Sequence, residues 1–129
     1  MGKHLVIDGE MKDKWPDTRV GCLQYKVKVE AKNEELWAYL KKDIFKKAKD
    51  DIFDYGVTEI PNIRESRAAY RAFGKDPSRY RVSSEALIRR IGQGKGLYQV
   101  NTVVDVNNLI SIQSGFSVGS YDTARIGEE

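Results

Sequence analysis

Seven of the nine arginines in this 129-residue chain fall between positions 64 and 90. That stretch holds eight basic residues (Arg64, Arg67, Arg71, Lys75, Arg79, Arg81, Arg89 and Arg90) against Glu65, Asp76 and Glu85. Its surplus of five positive charges exceeds the +3 of the whole chain, so the remainder is slightly acidic. Arginine offers a planar fork that pairs with phosphate at two points and a flat face that stacks on bases; lysine is a hydrated point charge. Arg64, Arg67 and Arg71 stand at i, i+3 and i+7, a single stripe if the segment is helical. Tyr70 and Tyr80 lie in the same stretch. Cationic charge beside aromatic surface suits a nucleic-acid contact. The same arginines are equally able to pair with Glu65, Asp76 and Glu85 or to pack beneath helices.

Other chemistries are poorly served. His4 is the single histidine and Cys22 the single cysteine. An internal disulfide is therefore excluded, and a Cys–His or Ser–His–Asp constellation or a Cys/His zinc site is not expected. Cys22 sits in an alternating apolar pattern and reads as a buried thiol. The GQGKG run at 92–96 has no Gly-Lys-Ser/Thr ending, so it reads as a connection and not as a phosphate loop. No cofactor and no metal is called for. The Met1-Gly2 start is followed by Val6 where a myristoylation signal needs Ser or Thr. No apolar run approaches the ~20 residues that span a bilayer. The first residues also lack the apolar stretch of a signal peptide. These features give the expectation of a cytoplasmic protein with no membrane partner.

The elements that must position the arginines can be read from periodicity. Residues 20–31 alternate from Leu23 onward, with Leu23, Tyr25, Val27 and Val29 on one face, and predict a half-exposed strand. Asn33 offers a cap, and Glu34 and Glu35 suit the first turn of a long amphipathic helix over 33–54. Leu36, Trp37, Leu40, Ile44, Ala48 and Ile52 form its apolar stripe. Gly56 ends it, Pro61 opens a second helix to about Phe73, and Gly74 stops that one. Ser83 or Ser84 is expected to cap a third helix through Leu87 and Ile91. Asn101 or Thr102 caps a fourth, with Val103, Val106 and Ile110 as its buried stripe and Gly115 as its end. Residues 117–122 read as a short strand. The sum predicts one domain of α+β class, with about four helices and a mixed sheet.

Two ordered stretches carry a family likeness. The first is Arg67-Ala-Ala-Tyr-Arg-Ala-Phe-Gly74, the turn at Asp76-Pro77, Arg79-Tyr-Arg81 and Ser83-Ser-Glu-Ala-Leu87. The second is residues 101–126, NTVVDVNNLISIQSGFSVGSYDTARI, with its Asn, Val-Val-Asp, apolar run, Gly115 and aromatic-Asp ending. Together they resemble the B3/B4 domain, the tRNA-binding and editing module of the phenylalanyl-tRNA synthetase beta subunit, in its free-standing form. The likeness covers roughly residues 60–127, and in that family the domain continues further, so the resemblance implies that this chain spans the amino-terminal portion.

The resemblance implies a B3/B4-like fold, the acceptor end of tRNA as partner rather than DNA, and hydrolysis of a misacylated, tyrosine-type ester as the possible activity. Such an ester is already activated, so the site must hold the terminal adenosine, orient a water and stabilise an oxyanion. No cofactor is implied. It also implies a substrate pocket from Asn101, Asp105, Asn107, Asn108, Gly119, Ser120 and Tyr121, and a tRNA surface from Arg64, Arg67, Arg71, Arg79 and Arg81. Read as residues alone, Asn101 is a helix cap, Asp105 an acceptor for backbone N–H groups, and Tyr121 a core aromatic. Gly119 stands where bacterial synthetases usually carry the pocket histidine. That departure favours a binding module without hydrolysis, and an amino-acid-like small molecule is the third candidate ligand.

Overall fold

The computed structural model describes residues 3–127. Met1, Gly2, Glu128 and Glu129 lie outside the described residues, and with them the reading of the Met1-Gly2 start. The chain divides into two compact units, one of Val29–Ser120 and one of Met1–Lys28 with Tyr121–Glu129.

The Val29–Ser120 unit is a helical assembly. Asn33 caps α2 (Glu34–Tyr39), its side chain accepting from the Leu36 N–H at 2.9 Å. The chain then makes a π turn over Leu40–Ile44 and continues as α3 (Phe45–Tyr55). Inserting a wider turn resets the helical phase, which π turns do at the cost of poorer backbone bonding. Trp37, Leu40, Ile44 and Ala48 are buried along the run. The long amphipathic helix expected over 33–54 is thus present, with a π turn inside it. Gly56 ends α3 at φ +78°, a conformation that side chains strain to adopt. After a 3-10 turn at Val57–Glu59, Pro61 opens α4 (Pro61–Ala72). The helices α5 (Ser83–Gly92) and α6 (Thr102–Ser114) complete the unit. Ile60, Ile63, Ile88, Ile91 and Ile112 join the stripe from α2 and α3 in a single core. The segment before α2 is tied to α6: Thr102 N–H donates to the Glu30 carbonyl at 2.9 Å, and Glu30 N–H to Thr102 Oγ1 at 3.0 Å.

The other unit contains α1 (Gly9–Lys14), capped by Asp8, and a turn in which Arg125 N–H donates to the Asp122 carbonyl. None of its described residues is buried. Its order comes from polar contacts such as Lys3 N–H to Gln24 Oε1 at 3.0 Å.

The expected α+β fold with a mixed sheet is overturned, because no strand occurs among the described residues. Residues 23–29 keep their alternation but face water, with Leu23 89% and Tyr25 63% exposed. Alternation prepares a segment for a sheet face, yet a strand exists only when a neighbour satisfies its backbone groups. Residues 117–122 lack a strand for the same reason. Cys22, expected to be a buried thiol, is exposed with the segment that carries it.

Two details of the helices also differ. Val82 caps α5 without a side-chain bond, and Ser84, a candidate cap, is buried instead. On α6 the stripe Val103, Val106 and Ile110 is not the core face: Val106 and Ile110 are exposed, while Asp105, Ser111 and Ile112 are buried. Apolar residues line α6 on nearly every side, so periodicity alone leaves its rotation undetermined.

Candidate nucleic-acid interface

The arginine-rich stretch of α4, α5 and their connection separates into an inner group and an outer group. Glu85, in the first turn of α5, is fully buried. Three guanidiniums converge on it. One terminal nitrogen of Arg67 donates to both carboxylate oxygens, at 2.9 and 3.0 Å. Arg89 Nε donates at 2.8 Å, and Arg81 Nε lies 3.5 Å away. A buried carboxylate is tolerable only when its charge and lone pairs are met in this way. Arg67 is itself buried. Of the expected tRNA-binding residues, Arg67 therefore also holds α4 against α5, and Arg81 meets the same carboxylate from the residues just before α5.

The outer group is different. Arg64, Arg71 and Arg79 are exposed, and none has an acidic partner among the described residues. Tyr80 is half exposed, with Lys75 Nζ 4.9 Å and the Arg79 guanidinium 6.0 Å from its ring centroid. The Asp76 carboxylate, a possible partner, accepts the Ser78 N–H at 3.0 Å. The turn at 76–80 thereby presents an aromatic ring flanked by two cations.

The residues of the implied pocket are placed along α6 and the segment after it. Asn101 is the cap, accepting from Val104 N–H at 2.9 Å. Asp105 is buried, and Trp37 Nε1 donates to its Oδ2 at 3.0 Å. Its other oxygen, Oδ1, has no hydrogen-bond partner among the described residues. The Asn107 amide donates to Ser120 Oγ, joining two of the expected residues. Asn108 is half-buried; Gly119, Ser120 and Tyr121 are exposed. Tyr121, read as a core aromatic, is 78% exposed.

A cavity of about 200 Å³ opens at the far end of α6, between Lys47, Asp51, Tyr55, Asn62 and Gly115. None of the expected pocket residues lines it. Asn62 is a residue that sequence reasoning passed over: its amide donates to the Ser114 carbonyl at 2.6 Å and caps α6 from α4. Trp37 is a second, since it was read only as part of an apolar stripe. Its indole N–H was a signal, because a buried indole needs an acceptor.

No group of three or more His, Cys, Asp or Glu side chains suited to a metal occurs among the described residues. No helix there is long and apolar enough to cross a membrane.

A family model described as the B3/4 domain matches residues 65–129, half of the chain. The chain belongs to the B3/4 domain family. The likeness read from residues 67–87 and 101–126 is thereby borne out. No curated protein and no solved structure matches the chain. Within this B3/4 domain, the family match takes in most of α4, all of α5 and α6, and the buried carboxylates Glu85 and Asp105. Arg67, Arg71, Arg79 and Arg81 fall inside it, and Arg64 one residue before it. The helices α2 and α3, which supply Trp37, Leu40, Ile44 and Ala48 to the core, lie outside it.

Proposed function

We propose that this B3/4 domain binds tRNA, using the outer arginines of α4 and of the turn at 76–80. One observation carries the reading. In the stretch with the densest positive charge, Arg64, Arg71 and Arg79 have no acidic partner among the described residues, and Tyr80 stands exposed between Lys75 and Arg79. Unpaired guanidiniums follow a phosphate backbone, and an exposed ring gives an unpaired base a surface to stack on. The likeness to the synthetase module supplies tRNA as the class of RNA.

Binding without hydrolysis is the form that this placement favours. Gly119 brings no side chain to the implied pocket, Asn101 commits its amide oxygen to a helix cap, and Asn107 commits its amide nitrogen to Ser120. The deciding measurement is fluorescence anisotropy with labelled tRNA across a salt series. Affinity should fall steeply and linearly on a log–log plot, with a slope close to the number of phosphates neutralised. Absence of binding at low salt would sink the proposal. Release of amino acid from tyrosine-charged tRNA, assayed in parallel, would add hydrolysis to it.

A further inference from the structure

Arg64, Arg67 and Arg71 line a cleft of about 100 Å³, closed on one side by Thr58 and Glu59 of the 3-10 turn before α4. The three guanidiniums are unequal. Arg67 is buried, and Glu85 fixes it through one terminal nitrogen. It therefore enters any ligand contact already oriented and desolvated, which lowers the ordering cost of binding. Arg64 and Arg71 are exposed and free to close from either side. With Arg67 set against Glu85, Arg64 and Arg71 outweigh Glu59 by one charge, and Arg81 and Arg89 behind Glu85 add to the positive side.

Glu59 sets the chemistry of the ligand. It is exposed, and no acidic or basic partner engages it among the described residues. An ionised carboxylate only accepts hydrogen bonds. A phosphodiester also only accepts, so phosphate alone leaves Glu59 repelling the ligand. A group that carries phosphate and a hydroxyl donor side by side satisfies all four charged lining residues. The ribose of RNA is such a group, because its 2′-hydroxyl donates while the adjoining phosphate accepts. We infer that this cleft seats one ribose-phosphate unit of an RNA strand, its phosphate on Arg64, Arg67 and Arg71 and its 2′-hydroxyl donating to Glu59. This inference rests on the RNA-binding reading and makes the cleft the place where RNA is told from DNA.

The test compares an RNA hairpin with a DNA hairpin of the same sequence by anisotropy, for the natural chain and for Arg64→Ala, Arg71→Ala and Glu59→Ala. All three changes are at exposed side chains, and unchanged melting curves confirm that the variants fold. Arg67 is left intact because its loss would remove the buried cation that joins α4 to Glu85. Arg64→Ala and Arg71→Ala should each reduce the salt slope by about one for both hairpins. Glu59→Ala should leave the slope for RNA nearly unchanged and lower the RNA-over-DNA preference by roughly three- to tenfold, the net worth of one ordinary hydrogen bond at an exposed site. An unchanged preference overturns the hydroxyl contact. Unchanged slopes with RNA binding intact overturn the cleft as the phosphate seat and leave the function standing. If the natural chain binds no RNA, both readings fall. A titration with inorganic phosphate, followed by the arginine Nε–H resonances, then reports whether an isolated anion enters the cleft.

Discussion

Glu85 and Asp105 are both buried carboxylates inside the family-matched region, and they are satisfied in opposite ways. Glu85 meets three guanidiniums, one of them donating to both of its oxygens. Among the described residues, Asp105 meets a single indole N–H and keeps one oxygen without a partner. The first is a closed electrostatic joint between α4 and α5. The second joins α6 to α2 through one neutral donor, with help only from the positive end of its own helix. A fully met buried charge is hard to remove but adds little over an apolar core, whereas a half-met one weakens the site that holds it. The contrast identifies the α4–α5 joint as the rigid side of the arginine surface and the α6 start as the side held by fewer bonds.

The largest expected effect breaks the closed joint. Glu85→Ala should cost on the order of 3–5 kcal/mol, because it leaves the buried Arg67 charge uncompensated. Urea unfolding followed by circular dichroism measures it; a loss below about 1 kcal/mol would show that the arginines relax to water without cost.

Trp37→Phe comes next. It removes the one donor to Asp105 while keeping most of the ring's packing, and should cost roughly 1.5–3 kcal/mol. In a double-mutant cycle with Asp105→Ala the two changes should be strongly non-additive, since each alone removes the same bond. Additive costs would show that the indole and the carboxylate act separately.

The same amide substitution at both carboxylates sharpens the comparison. Glu85→Gln should cost at least about 2 kcal/mol, since three charge-assisted contacts weaken together. Asp105→Asn should cost under about 1 kcal/mol, since the amide oxygen still accepts from Trp37 and an unmet charge disappears. Equal costs would erase the distinction. A similarly small effect belongs to the cap of α6: Asn101→Ala should cost about 1 kcal/mol without altering RNA binding. A matching fall in tRNA affinity would return Asn101 to the ligand site.

Much of the helical framework was legible before the structure. Asn33 and Asn101 cap the helices they precede, Pro61 opens α4, and Gly56 and Gly115 end α3 and α6 at positive φ. These signals are local: a side chain within three residues meets an orphan N–H, or a missing Cβ permits a left-handed turn. The sheet was misread because residues 23–29 carry strand chemistry without strand partners. The rotation of α6 was misread because its apolar residues do not mark one face. At the candidate interface, the stripe Arg64, Arg67 and Arg71 was visible as spacing. Its division into a buried, paired member and two exposed members was not.

Residue order by itself determined where the helices begin and end, where positive charge concentrates and which family the chain joins, because each depends on neighbours within a few residues or on ordered motifs. Only the tertiary structure decided which arginines are available. Burial of Glu85 drew Arg67 inward, engaged Arg81 and Arg89 nearer the surface, and left Arg64, Arg71 and Arg79 without an acidic partner among the described residues. A buried carboxylate must be neutralised by whichever cations its packing brings within reach, and that reach is set by how α4 lies on α5.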